Sequence, residues 1–225
     1  MGENIQIKSG DGFELGAYVA RPSEKAKGGI LVIQEIFGVN SHIREVTDGY
    51  AKEGYLAVAP MIFDRVDKNI ELGYEEADMG RGIELAFQKL NMDQTLSDLQ
   101  AAIGHLKLEQ DSVGVVGYCF GGLLTWLSAC DLDGVDAAVS YYGGGVVGQV
   151  EKQANCPVMM HFGELDAHIP MTDVAKIKDA QPKVQVFSYD ADHGFNCDHR
   201  ASFNESASEK ALGRSLEFFA QHVAQ

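Results

Sequence analysis

Basic side chains are scarce in this sequence. Its 225 residues include 18 lysines and arginines against 33 aspartates and glutamates, which gives a formal net charge of −15 at pH 7. Nucleic-acid binding requires a surplus of lysine and arginine to neutralise phosphates, and an anionic membrane surface attracts basic segments in the same way. The composition therefore argues against both kinds of partner. It still permits a small anionic ligand, because one or two arginines in a pocket can dominate the local potential.

Cysteine is also sparse, and no two of the four residues form a Cys-x-x-Cys pair. This argues against a zinc ribbon or a thioredoxin-type motif. No apolar run approaches the roughly 20 residues of a membrane-spanning helix. Residues 1–10 are polar and lack the apolar core of a secretory signal. We therefore expect a cytoplasmic protein with free thiols and no cofactor.

The sequence does contain a regular alternation of strand and helix patterns. Apolar runs predict a hairpin and six further strands, at 5–7, 15–19, 29–33, 55–59, 112–116, 135–140, 158–162 and 183–189. Helical spacing predicts helices at 41–53 with Ser41 as N-cap, 71–90, from 93 or 95 to 108, 123–129, 171–180 and 203–222. This alternation predicts one α/β domain over residues 1–225, with a mostly parallel central sheet and helices on both faces. Functional side chains of such sheets gather at the carboxyl ends of the strands.

A nucleophile motif follows the predicted strand at 112–116. The sequence GYCFGG at 117–122 matches the Gly-x-Ser-x-Gly turn of α/β-hydrolases, with Cys119 in the place of serine. Because this strand-to-helix turn is tight, the residues two before and two after the nucleophile must be small, and Gly117 and Gly121 are. The N-terminus of the following helix favours a thiolate. We predict that Cys119 is a catalytic nucleophile in an α/β-hydrolase fold.

The order of the remaining polar residues fits the same class of enzyme. In α/β-hydrolases an acid and then a histidine follow the nucleophile. Asp166 follows the predicted strand at 158–162, and His193 follows the strand at 183–189. We predict that Asp166 orients His193, which exchanges a proton with Cys119. Weaker alternatives for the acid are Asp173, Asp190 and Asp192.

Backbone donors for an oxyanion are expected at two of these strand ends. The segment 34–38 follows the strand at 29–33, where an α/β-hydrolase supplies its second oxyanion donor. We therefore assign the oxyanion hole to the backbone N–H groups of Ile36 and Phe120. Phe37 and Tyr142 also follow predicted strand ends, and we expect them to line the substrate pocket.

With these residues in view, the chain resembles the dienelactone hydrolase family. The motifs that carry the resemblance are QEIFG at 34–38, GYCFGG at 117–122, GELD at 163–166 and HGF at 193–195. The resemblance extends over nearly the whole chain. It implies a carboxylic ester hydrolase, similar to carboxymethylenebutenolidase, that opens a lactone or an activated ester through a cysteine thioester.

The resemblance also implies roles that spacing alone does not. The family's glutamate at the position of Glu35 accepts a hydrogen bond from the resting thiol and keeps it protonated until a substrate moves it away. The family grips the carboxylate of its lactone substrate with two arginines. Arg81 and Arg200 are the candidates in this sequence.

Two alternatives to a dienelactone-type hydrolase remain open. The first is a general carboxylesterase or thioesterase on the same Cys-His-Asp residues. The second is a non-catalytic protein that binds a ligand or senses oxidation, since an accessible thiol of low pKa can act as a sensor. A sensor does not need Asp166, which favours an enzyme. We expect a small-molecule ester or lactone as its partner, and a monomer or small homo-oligomer.

A metal centre is not predicted. His193, Cys197, Asp198 and His199 are close in the sequence but lack the spacing of a structural zinc site. Cysteine outside a catalytic motif is most often a small buried apolar side chain, and this is expected of Cys130, Cys156 and Cys197.

Overall fold

The computed structural model describes residues 2–224. Its strands are β1 (Glu3–Lys8), β2 (Glu14–Ala20), β3 (Gly29–Ile33), β4 (Leu56–Pro60), β5 (Val113–Tyr118), β6 (Ala137–Tyr141), β7 (Val158–Gly163) and β8 (Gln185–Tyr189). They form one sheet in the order β1-β2-β4-β3-β5-β6-β7-β8. The pairs β1–β2 and β2–β4 are antiparallel, and the other neighbours are parallel. The predicted mostly parallel sheet is confirmed.

Helices cover both faces of this sheet. They are α1 (Ser41–Lys52), α2 (Glu76–Glu84) with a π-helical continuation (Leu85–Lys89), α3 (Met92–Lys107), α4 (Phe120–Asp131), α5 (Met171–Ala180) and α6 (Glu205–His222). Gly114 of β5 faces the ring of Phe219 on α6, which is also 6.0 Å from the ring of Tyr50 on α1. Gly29 faces Leu106 of α3 on the opposite side. Among residues 2–224, no helix has both the length and the apolar character that crossing a bilayer requires.

The central strands are buried along their whole length. Every residue of β3, β4, β5, β6 and β7 is buried. Parallel strands that are covered on both faces have no solvent side, so their sequences read as continuous apolar runs. This explains why the predicted bounds of these strands lie close to the observed ones. β8 differs, because it pairs only with β7 at the end of the sheet and most of its residues are partly exposed.

Helix starts differ from those predicted. The N-cap of α1 is Asn40 rather than Ser41, since the Oδ1 of Asn40 accepts a hydrogen bond from the backbone N–H of Ile43 at 3.2 Å. α3 likewise begins at Met92 behind the cap Asn91, before the predicted Asp93 or Thr95. The observed caps differ from the predicted ones because in each helix an asparagine before the apolar pattern accepts a hydrogen bond from a first-turn N–H group.

The helix predicted at 71–90 is shorter at its start. α2 begins at Glu76, and the preceding residues pair with the chain that leaves β3. Glu71 forms an isolated antiparallel bridge with Gly38, and the N–H of Leu72 donates to the carbonyl of Phe37 at 2.9 Å. These contacts use backbone groups that a longer helix would need. The pairing brings α2 close to the carboxyl end of β3.

A buried arginine joins the opening hairpin to α3. Both oxygens of Asp98, which is fully buried, accept hydrogen bonds from Arg65 at 2.8 and 2.7 Å. Arg65 also donates to Asp11 in the β1–β2 turn at 2.7 Å, and its guanidinium lies 4.4 Å from the ring centre of Phe13. A buried carboxylate without its cation is strongly unfavourable. This arginine is therefore a structural tie between distant segments.

We predict that Arg65→Met lowers the free energy of unfolding by about 3–5 kcal/mol, because it leaves the Asp98 carboxylate buried without a counter-ion. Denaturation in urea would measure the change. Lys176→Met is the matched control, since its partner Asp173 forms an exposed pair worth less than about 1 kcal/mol. Equal losses in the two variants would contradict this role for Arg65.

Candidate active site

Cys119 occupies the sharp turn between β5 and α4. Its backbone has a φ of 56° and a ψ of −115°, a conformation that residues with a side chain rarely adopt. Gly117 and Gly121 make the turn possible, since a Cβ on Gly121 would collide with the carbonyls of Ile33 and Gln34, and one on Gly117 would collide with Gly121. The Cys119 side chain is partly exposed. The chain therefore folds here as the small residues of the motif predict.

Asp166 and His193 meet at the same edge of the sheet. The Nδ1 of His193 lies 2.7 Å from the Oδ2 of Asp166. The Oδ1 of Asp166 accepts hydrogen bonds from the backbone N–H groups of His168 at 2.8 Å and Ile169 at 3.2 Å. Burial alone would raise the pKa of Asp166, but His193 and these two amides outweigh it and hold the pKa below its usual value. Asp166 is therefore an ionised, fully hydrogen-bonded partner for the imidazole.

His193 also lies near Cys119, whose sulfur contributes to the pKa of the imidazole. Burial lowers the pKa of His193, yet hydrogen bonds and charges from Asp166 and Cys119 raise it to about 10. An imidazolium beside a cysteine sulfur favours the nucleophilic thiolate. The structure therefore brings the three predicted residues, Cys119, His193 and Asp166, together in triad order.

The predicted oxyanion donors lie on either side of Cys119. Phe120 is the first residue of α4, and first-turn N–H groups have no carbonyl partner within their own helix. Ile36 lies in the loop after β3, and this loop touches the turn because Gly121 packs against the carbonyls of Ile33 and Gln34. Gly82 of α2 packs against the Ile36 carbonyl. Glycines thus hold the loop close to the nucleophile.

Glu35 is turned toward Arg200 in this structure. It is fully buried, and its Oε1 lies 3.7 Å from the Nη1 of Arg200. Its Oε2 accepts a weak hydrogen bond from the hydroxyl of Tyr74 at 3.5 Å. Within the part of the chain that the structure describes, no hydrogen bond joins Glu35 to Cys119, which is paired with His193. The resting thiol contact that the resemblance implies stays a prediction.

The two candidate arginines are placed differently. Arg200 lies beside Glu35 and over the rings of Phe37 and Tyr74, at 5.8 and 5.7 Å from their centres. Arg81 lies on α2, where it is paired with Asp67 at 2.8 Å and Glu84 at 2.7 Å. The structure therefore brings Arg200 to the site and engages Arg81 elsewhere.

Phe37 and Tyr142 lie beneath the site rather than on an open wall. Both side chains are almost completely buried. Tyr142 has a φ of 37°, its ring lies 5.1 Å from that of His193, and its hydroxyl has no hydrogen-bond partner. Tyr142 packs against His193, and Phe37 packs against Arg200.

An open cavity lies beside Arg200. It has a volume of about 580 Å³, and its walls include Arg200, Tyr74 and Asp192, the neighbour of His193. A more apolar cavity of about 350 Å³ lies between α1 and α6. Within residues 2–224, neither cavity is lined by a triad residue, and the one beside Arg200 is distinguished by the candidate substrate-binding arginine in its wall.

Several residues near the site escaped sequence interpretation. Tyr74 contacts Glu35, and His168 lies against His193 with ring centres 5.3 Å apart. Phe87 is 61% exposed and packs edge-on against Phe120 at 5.3 Å. Tyr74 and Phe87 have neither a motif nor a strand-end position in the sequence, and only tertiary packing brings them to the site. His168 follows β7 two residues after Asp166, but its sequence position alone does not show that its ring lies against His193.

Comparison with known proteins places this geometry in a family. A model of the "Dienelactone hydrolase family" matches residues 15–223. The chain belongs to the dienelactone hydrolase family. The resemblance and the α/β-hydrolase fold expected from the sequence are thereby confirmed, as is the enzyme class of carboxylic ester hydrolase. Membership also favours an enzyme over a ligand-binding or redox-sensing protein.

Individual relatives in the dienelactone hydrolase family match over most of their length. A Synechocystis protein named "Putative carboxymethylenebutenolidase" is 38% identical, with 92% of each chain covered. A Pseudomonas putida protein named "Carboxymethylenebutenolidase" is 34% identical, covering 97% of this chain and 96% of its own. The crystal structure titled "Putative Dienelactone Hydrolase" from Klebsiella pneumoniae is 30% identical, covers 99% of both chains and has a TM-score of 0.88.

We predict that Asp166→Asn lowers the pKa of His193 from about 10 toward its ordinary value of 6.5, because the variant removes the charge that stabilises the imidazolium. Since the native pKa is raised, protonation of His193 stabilises the fold. That stabilisation is complete below about pH 6.5 and disappears as the pH rises through about 10. The difference in the free energy of unfolding between the wild type and Asp166→Asn should therefore decrease as the pH rises from about 6.5 to about 10.

An NMR-monitored pH titration of the histidine rings would measure the change in His193. His105, on α3 and outside the site, is an internal control in the same spectra. A His193 midpoint that is the same in both proteins would rule out this role for Asp166.

Proposed function

We propose that the protein hydrolyses lactones or activated carboxylic esters through a thioester on Cys119. The observation that carries the proposal is the position of His193, which is 2.7 Å from the Oδ2 of Asp166 and near enough to Cys119 for the sulfur to raise its pKa. The three groups thereby occupy the orienting, base and nucleophile positions of a hydrolase triad. The relative from Pseudomonas putida is named a carboxymethylenebutenolidase, which supports the lactone class.

Acylation begins when the sulfur of Cys119 attacks the carbonyl carbon of the substrate. A C–S bond forms, and the carbonyl electron pair moves onto the oxygen. The N–H groups of Ile36 and Phe120 then hold this oxyanion, and one such donor is worth about 3 kcal/mol in hydrolases. As the oxyanion collapses, the C–O bond breaks and His193 gives its proton to the leaving oxygen. The products are a thioester and an alcohol or enol.

Deacylation reverses these roles. Neutral His193 takes a proton from water, and the hydroxide attacks the thioester carbonyl. The same two N–H groups hold the second oxyanion. The C–S bond breaks, the carboxylic acid leaves, and the sulfur and the imidazolium are restored. A thiolate is itself a good leaving group, so this chemistry suits activated esters and lactones better than amides.

Arg200 is the cation that we assign to a substrate carboxylate. It lines the open cavity, and Glu35 at 3.7 Å is the carboxylate that balances its charge among residues 2–224. A substrate carboxylate would compete with Glu35 for the guanidinium. Displacement of Glu35 is the switch that the family resemblance implies. Arg81 would take part only after releasing Asp67 or Glu84.

A neutral ester is the second candidate substrate, as for a general carboxylesterase or thioesterase. Apolar surface beside the triad favours it. Phe87 is 61% exposed against Phe120, and Leu165 is 63% exposed next to Asp166. An uncharged acyl or alcohol group could bind there without Arg200. Charge on the substrate therefore separates the two functions.

We predict that Cys119→Ala lowers kcat for a dienelactone and for an activated aryl ester by at least about 10⁴-fold, because the nucleophile is lost. Steady-state kinetics would measure the loss, and mass spectrometry of the quenched wild type would detect the acylated Cys119. Cys130→Ala is the control, since that thiol is buried on α4 away from the triad. Wild-type turnover by Cys119→Ala would refute the thioester mechanism.

We predict that Arg200→Gln lowers kcat/KM for a lactone carrying a free carboxylate by about 10- to 100-fold, the range of a charge-assisted hydrogen bond. A neutral ester should lose much less, and Arg81→Gln should affect neither substrate strongly. Arg200→Lys, which keeps the charge beside Glu35, controls for loss of folding. If Arg200→Gln slows the neutral ester as much as the anionic lactone, Arg200 does not bind the substrate carboxylate.

A further inference from the structure

Three side chains that can bind a metal meet behind the triad. Glu35 comes from the loop after β3, His42 from the first turn of α1, and Cys197 from the segment that follows His193. All three are buried, and one ligand atom from each lies within 4.8 Å of the other two. The proposed hydrolysis uses neither His42 nor Cys197. Their grouping therefore has no explanation in the triad.

Two atoms of this cluster find no hydrogen-bond partner among residues 2–224. They are the Oε1 of Glu35 and the Nε2 of His42, which belong to residues that are 0% and 2% exposed. Buried polar atoms are nearly always paired, so unpaired ones call for an explanation. A cation bound among the three side chains would satisfy both atoms at once.

The second nitrogen of His42 is already oriented for such a role. Its Nδ1 lies 3.4 Å from the Oδ1 of Asp198. A histidine that binds a metal through one nitrogen usually donates the N–H of its other nitrogen to a carboxylate. With Nδ1–H directed at Asp198, the lone pair of Nε2 is free for a metal. This is the arrangement that supports zinc-binding histidines in other proteins.

We propose that Glu35, His42 and Cys197 form a binding site for Zn²⁺. A mixed set of sulfur, imidazole and carboxylate ligands suits this ion, which is usually tetrahedral. Bond lengths of about 2.0 Å to nitrogen and oxygen and about 2.3 Å to sulfur place such ligand atoms roughly 3.3–3.8 Å apart. Side-chain shifts of about an ångström would bring the present positions into that range. A water would complete the fourth position.

Zinc binding would release a proton from the site. Zinc binds cysteine as the thiolate, so the Cys197 proton passes to solvent as the Zn–S bond forms. One proton would leave for each ion bound.

The positive charge of Arg200 repels the ion, so this side chain must move. Its Nη1 lies 3.7 Å from the same Glu35 oxygen that the metal would use. Its side chain is 17% exposed and borders the open cavity, so it can swing toward solvent. Zinc would then hold Glu35 where it lies and release Arg200. This last consequence rests on the proposed function, whereas zinc binding itself does not.

We predict that the full-length protein with Cys119→Ala, freed of metal by a chelator, binds one Co²⁺ or Zn²⁺ per chain. Removing the catalytic sulfur excludes that thiol as a ligand. Cobalt should show a thiolate-to-metal charge-transfer band, and zinc binding in a calorimeter should release one proton. Adding Cys197→Ser or His42→Gln should weaken binding by more than about 100-fold, and Asp198→Asn by about 10- to 100-fold.

Three controls separate this site from its neighbours. Cys130→Ser and Cys156→Ser remove thiols elsewhere and should leave binding unchanged. His199→Gln tests the second group, in which His42 is joined by the exposed residues Asp198 and His199 and which could also hold an ion. Thermal unfolding without metal would check that each variant is folded, and Cys197→Ala would replace Cys197→Ser if that variant is not.

Zinc binding is the readout, so the result does not depend on ester hydrolysis. Absence of binding, binding that survives both Cys197→Ser and His42→Gln, or binding lost in His199→Gln alone would overturn the proposal. Loss of hydrolysis in Cys119→Ala would leave it untouched.

Discussion

The chain passes from β5 into α4 through a single residue, Cys119, whose φ of 56° forces its side chain up from the edge of the sheet. Holding this conformation requires backbone contact on both sides, and Gly121 provides it by touching the carbonyls at the end of β3. The same contact fixes the loop that carries Glu35 and Ile36. The proposed nucleophile, the proposed oxyanion donor and the buried carboxylate are therefore positioned by one turn, and any side chain at Gly121 would separate all three.

Two ionic systems lie side by side around this turn. In one, Asp166 holds His193, and in the other Glu35 faces Arg200. Tyr142 lies beneath them, fully buried with an unpaired hydroxyl, and the charges of Glu35 and Cys119 add to burial in raising its pKa. Such surroundings give charge little screening by water, so a change in one pair is felt by the other. This coupling supports the proposal that a substrate bound to Arg200 changes the state of the Cys119 thiol.

The sequence was informative where burial or chain order dictates structure. Central strands were predictable because they are covered on both faces, and Asp166 and His193 because their strands end at the edge that carries Cys119. Asn40 and Ser41 are both good capping residues, so the start of α1 could not be chosen from composition. The partners of Arg81 and Arg200 could not be predicted, since a long guanidinium side chain reaches whatever carboxylates the folded chain brings near.

The strands that carry the triad residues differ in how many neighbouring strands they pair with. Cys119 follows β5 in the middle of the sheet, whereas His193 follows β8, which is paired on one side only. A terminal strand opens more readily than a central one, because fewer contacts must break. Local fraying at β8 would withdraw the imidazole while the rest of the sheet stays intact. We therefore expect the outermost parallel strand, rather than the core, to set the temperature up to which His193 stays beside Asp166.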